Sequence, residues 1–503
     1  VLHMLELAQI PFRAEQREGR HPLVIAGGPC MFNPEPVADF FDAIVVGDGE
    51  EAILAMADAW LAWQTEGGGD RQSLLQQWQG VAGVYIPAFY ETTFDGKGLP
   101  QTTARDRFRE SVRRAILSDL AEMPPPDDPI VPYGRPVHDR LRVEVARGCT
   151  RGCRFCQAGM IYRPVRERSV DNLLEYTTRA LGNTGFDELS LLSLSTGDYG
   201  CIEPLMTGLS ERFSRQRNAI SLPSLRVDTL SDEMIDLIKS VRKTGFTLAP
   251  EAGSQRLRDV INKNIRQAEI FDTVRRVFEH GWRLIKLYFM IGLPTESDTD
   301  RAAIAELARE LRHIRAPHLK SPPALNISVA TFIPKAHTPF QWMAQMAPEE
   351  ATEVLTRLRA QVKRTGARFK WQDPLTSYLE GVFSRGDRRL SHLLEKAHAL
   401  GCRFDGWSDH FDFERWQKAM ALSGVDPAFY TTRRRDLDEP LPWDHIDSGV
   451  KKAYLRDELA RALAGDLTPD CRLGPCNQCG VCNFETIAPL VHTLSLIHIS
   501  EPT

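Results

Sequence analysis

The segment Arg147-Gly-Cys149-Thr-Arg-Gly-Cys153-Arg-Phe-Cys156 places three cysteines in a C-x₃-C-x₂-C array, directly after the apolar-alternating run Leu141–Val145. Three thiolates can bind three corners of a [4Fe–4S] cluster, which leaves the fourth iron without a protein ligand. Clusters that only carry electrons are normally held by four cysteines, so an open iron is a coordination site for another molecule. The alternatives are three reduced core cysteines or a structural zinc site. Zinc would need a fourth ligand, and no Cys or His follows at short spacing.

This spacing, with an aromatic residue directly before the last cysteine, resembles the signature of the radical S-adenosylmethionine (radical SAM) superfamily. In that family the open iron binds the amine and carboxylate of SAM, and one electron splits SAM into methionine and a 5′-deoxyadenosyl radical. The resemblance implies that Cys149, Cys153 and Cys156 hold the catalytic cluster and that Phe155 packs beside it, near the adenine. It also implies a reducing electron donor of the flavodoxin or ferredoxin type.

The overall composition is that of an ordinary globular protein. The chain has 503 residues, of which 42% are hydrophobic and 26% charged, and its net charge is −5. This charge argues against a protein whose whole surface binds nucleic acid. Seven of the ten cysteines lie in two tight groups, which fits metal sites in a reducing compartment. No signal peptide is present and no apolar run reaches the roughly 18 residues of a membrane span, so we expect a cytoplasmic protein without membrane contact.

Strand-like and helix-like patches alternate from residue 141 to 333. The predicted strands are Arg142–Arg147, Leu189–Leu194, Ile220–Arg226, Phe246–Ala249, Leu284–Ile291 and Asn326–Phe332. The predicted helices are 170–182, 203–215, 231–243, 267–280 and 298–314. Six βα units predict an α/β fold in which a parallel sheet curls into a partial (β/α)6 barrel, with function at the carboxyl ends of the strands. The radical SAM resemblance implies the same barrel.

Candidate site residues, most of them small or polar, lie at the ends of four of the predicted strands. In strand order they are Ser195, Thr196, Gly197 and Asp198; Ser224 and Arg226; Glu251; and Gly292, Leu293 and Pro294. By the resemblance, the first group meets the SAM amine, although the family usually has a Gly-Gly-Glu-like turn there. The hydroxyl and guanidinium of the second group are suited to the SAM carboxylate or ribose. The acid of the third group resembles the ribose-contacting residue of the family, and the fourth lies beside adenine.

The first 80 residues show a strand, a glycine turn, a helix and a second strand, which is typical of a parallel α/β sheet. The glycines at the two strand ends are Gly27, Gly28, Gly47 and Gly49. The pair of motifs IAGGPCMFNPE and FDAIVVGDGEE resembles the second half of the flavodoxin-like or Rossmann-like cobalamin-binding-type domain that precedes many radical SAM cores. In such domains the histidine motif that ligates cobalt would lie upstream of Val1, which leaves cobalamin binding open.

A second group of cysteines lies near the end of the chain. Cys471, Cys476, Cys479 and Cys482 supply four thiolates within twelve residues. Four thiolates suit a structural zinc ion, and the C-x₂-C-x₂-C core resembles ferredoxin ligation of a second [4Fe–4S] cluster. Both metals remain open at this point.

Three further cysteines and one histidine stand outside these groups. We expect Cys201 near the SAM site because it closely follows Asp198, whereas Cys30 and Cys402 are expected to be packing residues. His337, in a loop after the last strand, is expected to be a structural histidine with a satisfied hydrogen bond.

The expected organisation runs from a truncated cobalamin-binding-type domain through the barrel to a mostly helical C-terminal extension. The segments are 1–80 for the N-terminal domain, 81–140 for a connector, 141–345 for the barrel, 346–470 for the helical region and 471–485 for the four-cysteine segment. Residues 494–503 resemble a translated sequencing adaptor and are expected to be a non-native tail. Val1 is not an initiator residue, so we expect a reading frame cut at both ends.

The predicted function is that of a radical SAM enzyme that modifies a substrate through the 5′-deoxyadenosyl radical. Cobalamin, if bound, would direct this chemistry to methylation. An RNA or a ribosomal protein is the favoured substrate by the resemblance. The alternative is a non-catalytic Fe–S protein that senses redox state or transfers electrons.

Overall fold

The structure is a computed structural model that describes residues 1–105, 108–134, 136–213, 219–221, 235, 246–314 and 324–492. Its β-strands are β1 (Ile25–Ala26), β2 (Ala43–Val45), β3 (Val84–Tyr85), β4 (Tyr90–Phe94), β5 (Pro100–Ala104), β6 (Val112–Arg113), β7 (Leu141–Glu144), β8 (Ala146–Arg147), β9 (Arg166–Glu167), β10 (Glu188–Leu192), β11 (Ala219–Ser221), β12 (Phe246–Glu251), β13 (Leu284–Ile291), β14 (Ala324–Thr331), β15 (Arg368–Trp371) and β16 (Ile446–Asp447). Its α-helices are α1 (Leu2–Leu7), α2 (Glu50–Thr65), α3 (Arg71–Gln79), α4 (Ala158–Ile161), α5 (Val170–Thr184), α6 (Ile202–Phe213), α7 (Gln255–Val260), α8 (Gln267–Glu279), α9 (Asp298–Arg312), α10 (Pro348–Arg364), α11 (Pro374–Ser384), α12 (Leu390–Ala399), α13 (Phe413–Ser423), α14 (Pro427–Tyr430) and α15 (Lys452–Ala464). Within these described ranges, no helix has the length and apolar character that a membrane crossing requires.

Two parallel sheets form the central part of the fold. The first has the strand order β11-β10-β7 and the second the order β12-β13-β14-β15. Strands are found at the described residues of all six predicted strands between 141 and 333, and the pairings within the two sheets are parallel. Of the predicted strand Ile220–Arg226, only residues 220 and 221 are described. The predicted strand Arg142–Arg147 is divided, because its end forms β8, which pairs with β9 in the antiparallel direction. Three predictions lie outside the described residues: the helix 231–243, apart from residue 235, the site residues Ser224 and Arg226, and the tail 494–503.

β15 is a further strand of the second sheet, and the sequence did not predict it. It pairs in parallel with β14, from Asn326 opposite Arg368 to Val329 opposite Trp371. Most of its residues are exposed, so it lacks the continuous apolar run by which a strand buried on both faces is recognised. The helix that precedes it, α10, lies in the segment 346–470 that the sequence predicts to be mostly helical.

Helices cover the sheets through apolar faces. The second sheet packs against α8, α9 and α10, with Val274, Leu287 and Leu358 in one buried cluster. Helices α5 and α6 pack against the first sheet in the same way. Ser169 caps the N-terminus of α5, since the backbone N–H of Asn172 donates to the hydroxyl oxygen of Ser169 over 3.2 Å. This packing fixes the carboxyl ends of the parallel strands, where the site residues of such sheets are usually found.

The N-terminal domain departs from the prediction between its first two strands. β1 and β2 are parallel, as expected, but the predicted helix between them consists of two 3₁₀ segments, Pro29–Phe32 and Glu35–Phe40. The prolines explain the difference because each lacks the N–H group that a continuous α-helix needs. β3 then adds to β2 in the antiparallel direction.

The segment predicted as a connector, 81–140, carries regular structure. β4 and β5 form an antiparallel hairpin in which Tyr90 lies opposite Ala104. β6 pairs with β16 near the other end of the chain, where Val112 lies opposite Ile446. The remainder of the chain up to residue 464 is mostly helical, as predicted, in α11 to α15.

A buried ion pair joins the N-terminal domain to the C-terminal helices. Glu35 is fully buried, and its carboxylate accepts hydrogen bonds from Arg388 at 3.0 and 3.1 Å and from the Tyr85 hydroxyl at 2.8 Å. The His445 Nε2 atom lies 3.3 Å from the same carboxylate. Burial alone would raise the pKa of Glu35, but the charge of Arg388 and the contact with His445 outweigh burial and lower the pKa to about 2.

We expect the Glu35→Gln substitution to lower the free energy of unfolding by about 2 kcal/mol near neutral pH, because it removes the buried charge that accepts two hydrogen bonds from Arg388 and leaves this guanidinium with the more distant Asp39 carboxylate, at 3.8 Å. The depressed pKa means that the stabilisation is complete above the unfolded pKa of about 4.3 and is lost as the pH falls toward 2. Urea unfolding followed by circular dichroism at several pH values measures both effects. Glu51→Gln, at an exposed position in the first turn of α2, is the matched control and should be neutral. Equal unfolding midpoints for the two variants would contradict a stabilising pair.

Candidate active site

The loop from Gly148 to Gln157 connects β8 to α4 and carries the three cysteines. Gly148 has φ +88°, and a Cβ atom there would lie 2.3 Å from the carbonyl oxygen of Pro164. Gly152 has φ +72°, in the left-handed region that glycine tolerates best. The glycines of the C-x₃-C-x₂-C array therefore allow a tight, left-handed path that residues with side chains would not adopt.

The three cysteines face one another on this loop. Cys153 is buried, whereas Cys149 and Cys156 are half-buried. The backbone N–H of Gly159 donates to the sulfur of Cys156 over 3.3 Å. Burial, and next the neighbouring Cys153 sulfur, raise the pKa of the Cys156 thiol to about 12. The ionised forms of these neighbouring thiols would repel one another, so the three can be deprotonated together only around a cationic centre, and the donor set fits the three-cysteine ligation of a [4Fe–4S] cluster.

Arg154 holds the cysteine loop in place through hydrogen bonds of its buried guanidinium. Its side chain is fully buried, and it donates to Glu458 over 3.0 Å and to the carbonyl oxygens of Val260 and Asp466 over 3.0 and 2.7 Å. These contacts tie the cysteine loop to α7 and to the C-terminal helix α15. The position of the loop thus depends on residues some 300 positions further along the chain.

The turn after β10 lies against the same loop. Arg151 donates two hydrogen bonds to the Asp198 carboxylate, one of them over 2.9 Å. The Ser195 hydroxyl is shielded from solvent and has no hydrogen-bond partner among the described residues. Thr196 is buried, with its hydroxyl 2.9 Å from that of Ser193, and Gly197 is half-buried. An orphaned hydroxyl beside the cysteine loop fits a bound polar group, and the predicted contact of this turn with the SAM amine stays a prediction.

The end of β12 brings Glu251 to the cysteine loop. Glu251 adopts φ +68°, and its carboxylate lies 3.3 Å from the Lys263 ammonium. The same ammonium lies 5.9 Å from the centre of the Phe155 ring. Burial raises the pKa of Glu251, and Lys263 opposes this shift. The structure therefore brings together two predicted site residues, Phe155 and Glu251, around a lysine that the sequence analysis missed.

The turn after β13 is shaped by Gly292, which has φ +78°. Its backbone N–H donates to the Glu296 carboxylate over 2.7 Å, while Leu293 and Pro294 are buried. Adenine contact by this turn stays a prediction.

The glycines of the N-terminal domain separate into two pairs. Gly47 and Gly49 line a cavity of about 570 Å³ at the face between this domain and the barrel. Its other lining residues are Asp48, Glu50, Ile53, Glu144, Ala146, Arg147, Gly148, Tyr162, Leu192, Ser193 and Leu194. Gly27 and Gly28 are exposed at the end of β1 and do not line it. The cavity thus reaches from the second glycine pair to Gly148, the neighbour of Cys149.

Arg147 connects the two walls of this cavity. Its guanidinium donates to Asp48 over 2.9 Å and to Glu50 over 2.7 Å in the N-terminal domain, and to Glu144 over 2.8 Å at the end of β7. Arg147 directly precedes the cysteine loop. Its role was not predicted, although both the arginine and its acidic partners stand inside the motifs that the sequence analysis quoted.

One histidine and three cysteines lie outside the two cysteine groups, and they differ in burial. His337 is buried, and its Nε2 atom lies 2.8 Å from the carbonyl oxygen of Phe32, which confirms a structural role. Cys201 is buried, with its sulfur 3.4 Å from the carbonyl oxygen of His492. Cys30 is exposed, so the expectation of a packing residue is wrong there; the 3₁₀ segment turns its side chain outward. Cys402 is half-buried.

The four C-terminal cysteines lie in the loop after α15. Together with Cys149 and Arg163 they line a second, smaller cavity. The structure therefore places the second predicted metal group directly beside the first.

Comparison with known proteins agrees with this geometry. Residues 1–87 match the family described as radical SAM proteins, N-terminal, and residues 143–308 match the radical SAM superfamily. An uncharacterized protein of Methanocaldococcus jannaschii is 29% identical over 381 residues, which are 76% of this chain and 74% of that protein. The tRNA-2-methylthio-N(6)-dimethylallyladenosine synthase of Acetivibrio thermocellus is 25% identical over 178 residues, 34% of this chain and 37% of the relative.

Among solved structures, the chain aligns with the radical SAM methyltransferase TsrM of Kitasatospora setae, which was solved with cobalamin and a [4Fe–4S] cluster bound. The alignment has a TM-score of 0.47 and 12% sequence identity, and it covers 80% of this chain and 82% of TsrM. The two family matches cover both the N-terminal domain and the barrel strands around the cysteine loop. The chain therefore belongs to the radical SAM superfamily, and residues 143–308 are its radical SAM domain.

Proposed function

We propose that the chain modifies a nucleoside of tRNA by radical SAM chemistry and that the cavity between the N-terminal domain and the barrel receives the reacting group. The observation that carries this proposal is the lining of that cavity, in which Gly47 and Gly49 face Gly148, the residue before Cys149. A group bound there lies beside the cysteine loop. Support for tRNA comes from the similarity to a tRNA methylthio synthase over 34% of the chain.

The residues that would hold the cofactors are those of the cysteine loop and the strand ends. Cys149, Cys153 and Cys156 would bind the cluster, and Ser195 and Glu251 would contact SAM. When a [4Fe–4S] cluster and SAM are bound, the chemistry supplied is one-electron cleavage of SAM to methionine and a 5′-deoxyadenosyl radical. The chain itself positions the loop through Arg154 and closes the gap between domains through Arg147.

The cavity also has room at Gly49 for a larger group, because a Cβ atom built there meets nothing within 4 Å. Gly47 leaves no such room, because a Cβ atom there would lie 2.2 Å from the carbonyl oxygen of Ala115. Packing alone therefore explains Gly47, whereas Gly49 leaves space for substrate or for cobalamin.

The Gly49→Trp substitution tests the proposal because the indole fills the cavity. We expect unfractionated bacterial tRNA to stimulate 5′-deoxyadenosine release by the anaerobically reconstituted chain. Gly49→Trp should reduce that stimulated rate at least about tenfold, a loss of about 1.4 kcal/mol of transition-state stabilisation. Mass spectrometry of the digested tRNA identifies the modified nucleoside, with and without added hydroxocobalamin.

Gly182→Trp is the matched control, since Gly182 is exposed on α5 and a Cβ atom there also meets nothing within 4 Å. It should behave as the wild type. Stimulation by purified ribosomal protein instead of tRNA would overturn the substrate assignment, and equal rates for the two variants would overturn the assignment of the cavity.

A further inference from the structure

The loop after α15 places four cysteines around one cavity. Cys471, Cys476, Cys479 and Cys482 line a space of about 160 Å³ whose opposite wall includes Cys149. Cys479 is buried, and Cys476 reaches the protein surface. This arrangement puts a complete four-thiolate set next to the three-thiolate set of the barrel loop.

The spacing of the sulfur atoms is wider than a single ion requires. A tetrahedral zinc with Zn–S bonds of about 2.3 Å would hold all four sulfurs roughly 3.8 Å apart. Within the described part of the chain, no three of the cysteine sulfurs lie within 4.8 Å of one another. The sulfurs surround a space instead of converging on a point, and a cubane cluster fills such a space.

A buried cation faces the same cavity. Arg163 is 4% exposed, and it donates to the carbonyl oxygen of Gly159 over 3.0 Å and to the Tyr454 hydroxyl over 3.3 Å. Its Nη2 atom is buried and has no hydrogen-bond partner among the described residues. The Arg163 side chain also interacts with Cys479. A buried guanidinium is stabilised by negative charge beside it, so its position against four cysteines favours an anionic group at this cavity.

Hydrogen bonds hold the four-cysteine loop against the catalytic loop. Arg472 donates to the backbone oxygen of Asp198, and the Arg151 guanidinium lies 3.4 Å from the Asp470 carboxylate. Further along, the backbone N–H of Glu167 donates to the carbonyl oxygen of Leu490 over 2.8 Å. The cavity walls are thus fixed relative to each other on both sides of the cysteines.

We propose that Cys471, Cys476, Cys479 and Cys482 bind a second [4Fe–4S] cluster, with Arg163 as its buried counter-charge, beside the cluster site of Cys149. Four thiolates occupy all four corners, so this cluster has no open iron and is of the kind that carries electrons. The proposal uses the superfamily assignment only for the first cluster, and it is independent of the substrate.

Metal analysis after anaerobic reconstitution with iron and sulfide tests the site. We expect about eight iron atoms per wild-type chain and about four in each of two variants, Cys149→Ala/Cys153→Ala/Cys156→Ala and Cys476→Ala/Cys482→Ala. Cys476 is exposed and Cys482 half-buried, so the second variant should fold, and circular dichroism verifies its fold. Four irons together with one zinc in the wild type, with the zinc lost from the second variant, would overturn the iron–sulfur assignment.

Electron paramagnetic resonance tests the position of the second cluster beside the first. The electron paramagnetic resonance spectrum of the reduced wild type should show magnetic interaction between the two clusters. It should therefore differ from the sum of the spectra of the two cysteine variants, and a spectrum equal to that sum would overturn the shared cavity.

The role of Arg163 is tested in the Cys149→Ala/Cys153→Ala/Cys156→Ala background. There, Arg163→Gln should make the reduction potential of the remaining cluster more negative, while Arg163→Lys retains most of the charge effect. Identical potentials for the two variants would overturn the counter-charge role.

Discussion

Replacing Cys153 by alanine is expected to reduce the release of 5′-deoxyadenosine from SAM to the assay background, a fall of at least about 1,000-fold given the rate enhancements of enzymes. Cys153 supplies one of the three thiolates, and two thiolates leave a second iron without a protein ligand. The backbone of the loop should persist, because Cys153 contributes its carbonyl oxygen to the N–H of Cys156 over 3.1 Å and alanine retains that bond. Anaerobic incubation with SAM and dithionite, followed by mass spectrometry, measures the loss.

The matched control for this experiment is Cys30→Ala. Cys30 is exposed and lies outside both cysteine groups, so its removal should leave iron content and release unchanged. Full release by Cys153→Ala would contradict ligation by the barrel loop.

Gly148→Ala is expected to disrupt the cysteine loop without removing any ligand. At φ +88° an alanine is strained, and its Cβ atom would lie 2.3 Å from the oxygen of Pro164 and 2.6 Å from that of Tyr162. Both neighbours are backbone atoms, so no side chain can turn aside. Strain and clash together should cost about 3 kcal/mol or more. Urea unfolding of the apo chain measures this cost, and iron analysis after reconstitution should show a reduced cluster content.

Gly182→Ala in α5 provides the comparison for Gly148→Ala. A Cβ atom at Gly182 meets nothing within 4 Å, and alanine is favoured over glycine inside a helix by up to about 1 kcal/mol. This variant should be as stable as the wild type or slightly more stable. If Gly148→Ala matched it in stability and iron content, the tight path of the cysteine loop would not be required.

The barrel was predictable because its strands are short apolar runs separated by amphipathic helices. β13 is almost entirely apolar, β14 alternates apolar residues with small or polar ones, and both are buried on alternate residues, so they stand out in the sequence. β15 did not, since its exposed Arg368 and Lys370 hide the strand pattern. In the N-terminal domain, the prolines at 34 and 36 were the available signal for 3₁₀ structure instead of a helix.

The candidate site was predictable where chemistry lies in one short segment. The three cysteines and Phe155 could be read from spacing, whereas Lys263 could not, because its contacts with Glu251 and Phe155 join separate parts of the chain. Arg163 illustrates the same limit: its place between two cysteine groups follows from folding a loop near residue 480 onto one near residue 150. Such long-range placement has no counterpart in local sequence pattern.

The central claim, that this chain cleaves SAM reductively on its cysteine loop, is tested most directly by the wild-type arm of the Cys153 experiment. The anaerobically reconstituted chain is incubated with SAM and dithionite, and 5′-deoxyadenosine and methionine are quantified together. The account predicts equal amounts of the two products, formed only by protein that contains iron. No 5′-deoxyadenosine from protein with a full complement of iron would contradict it.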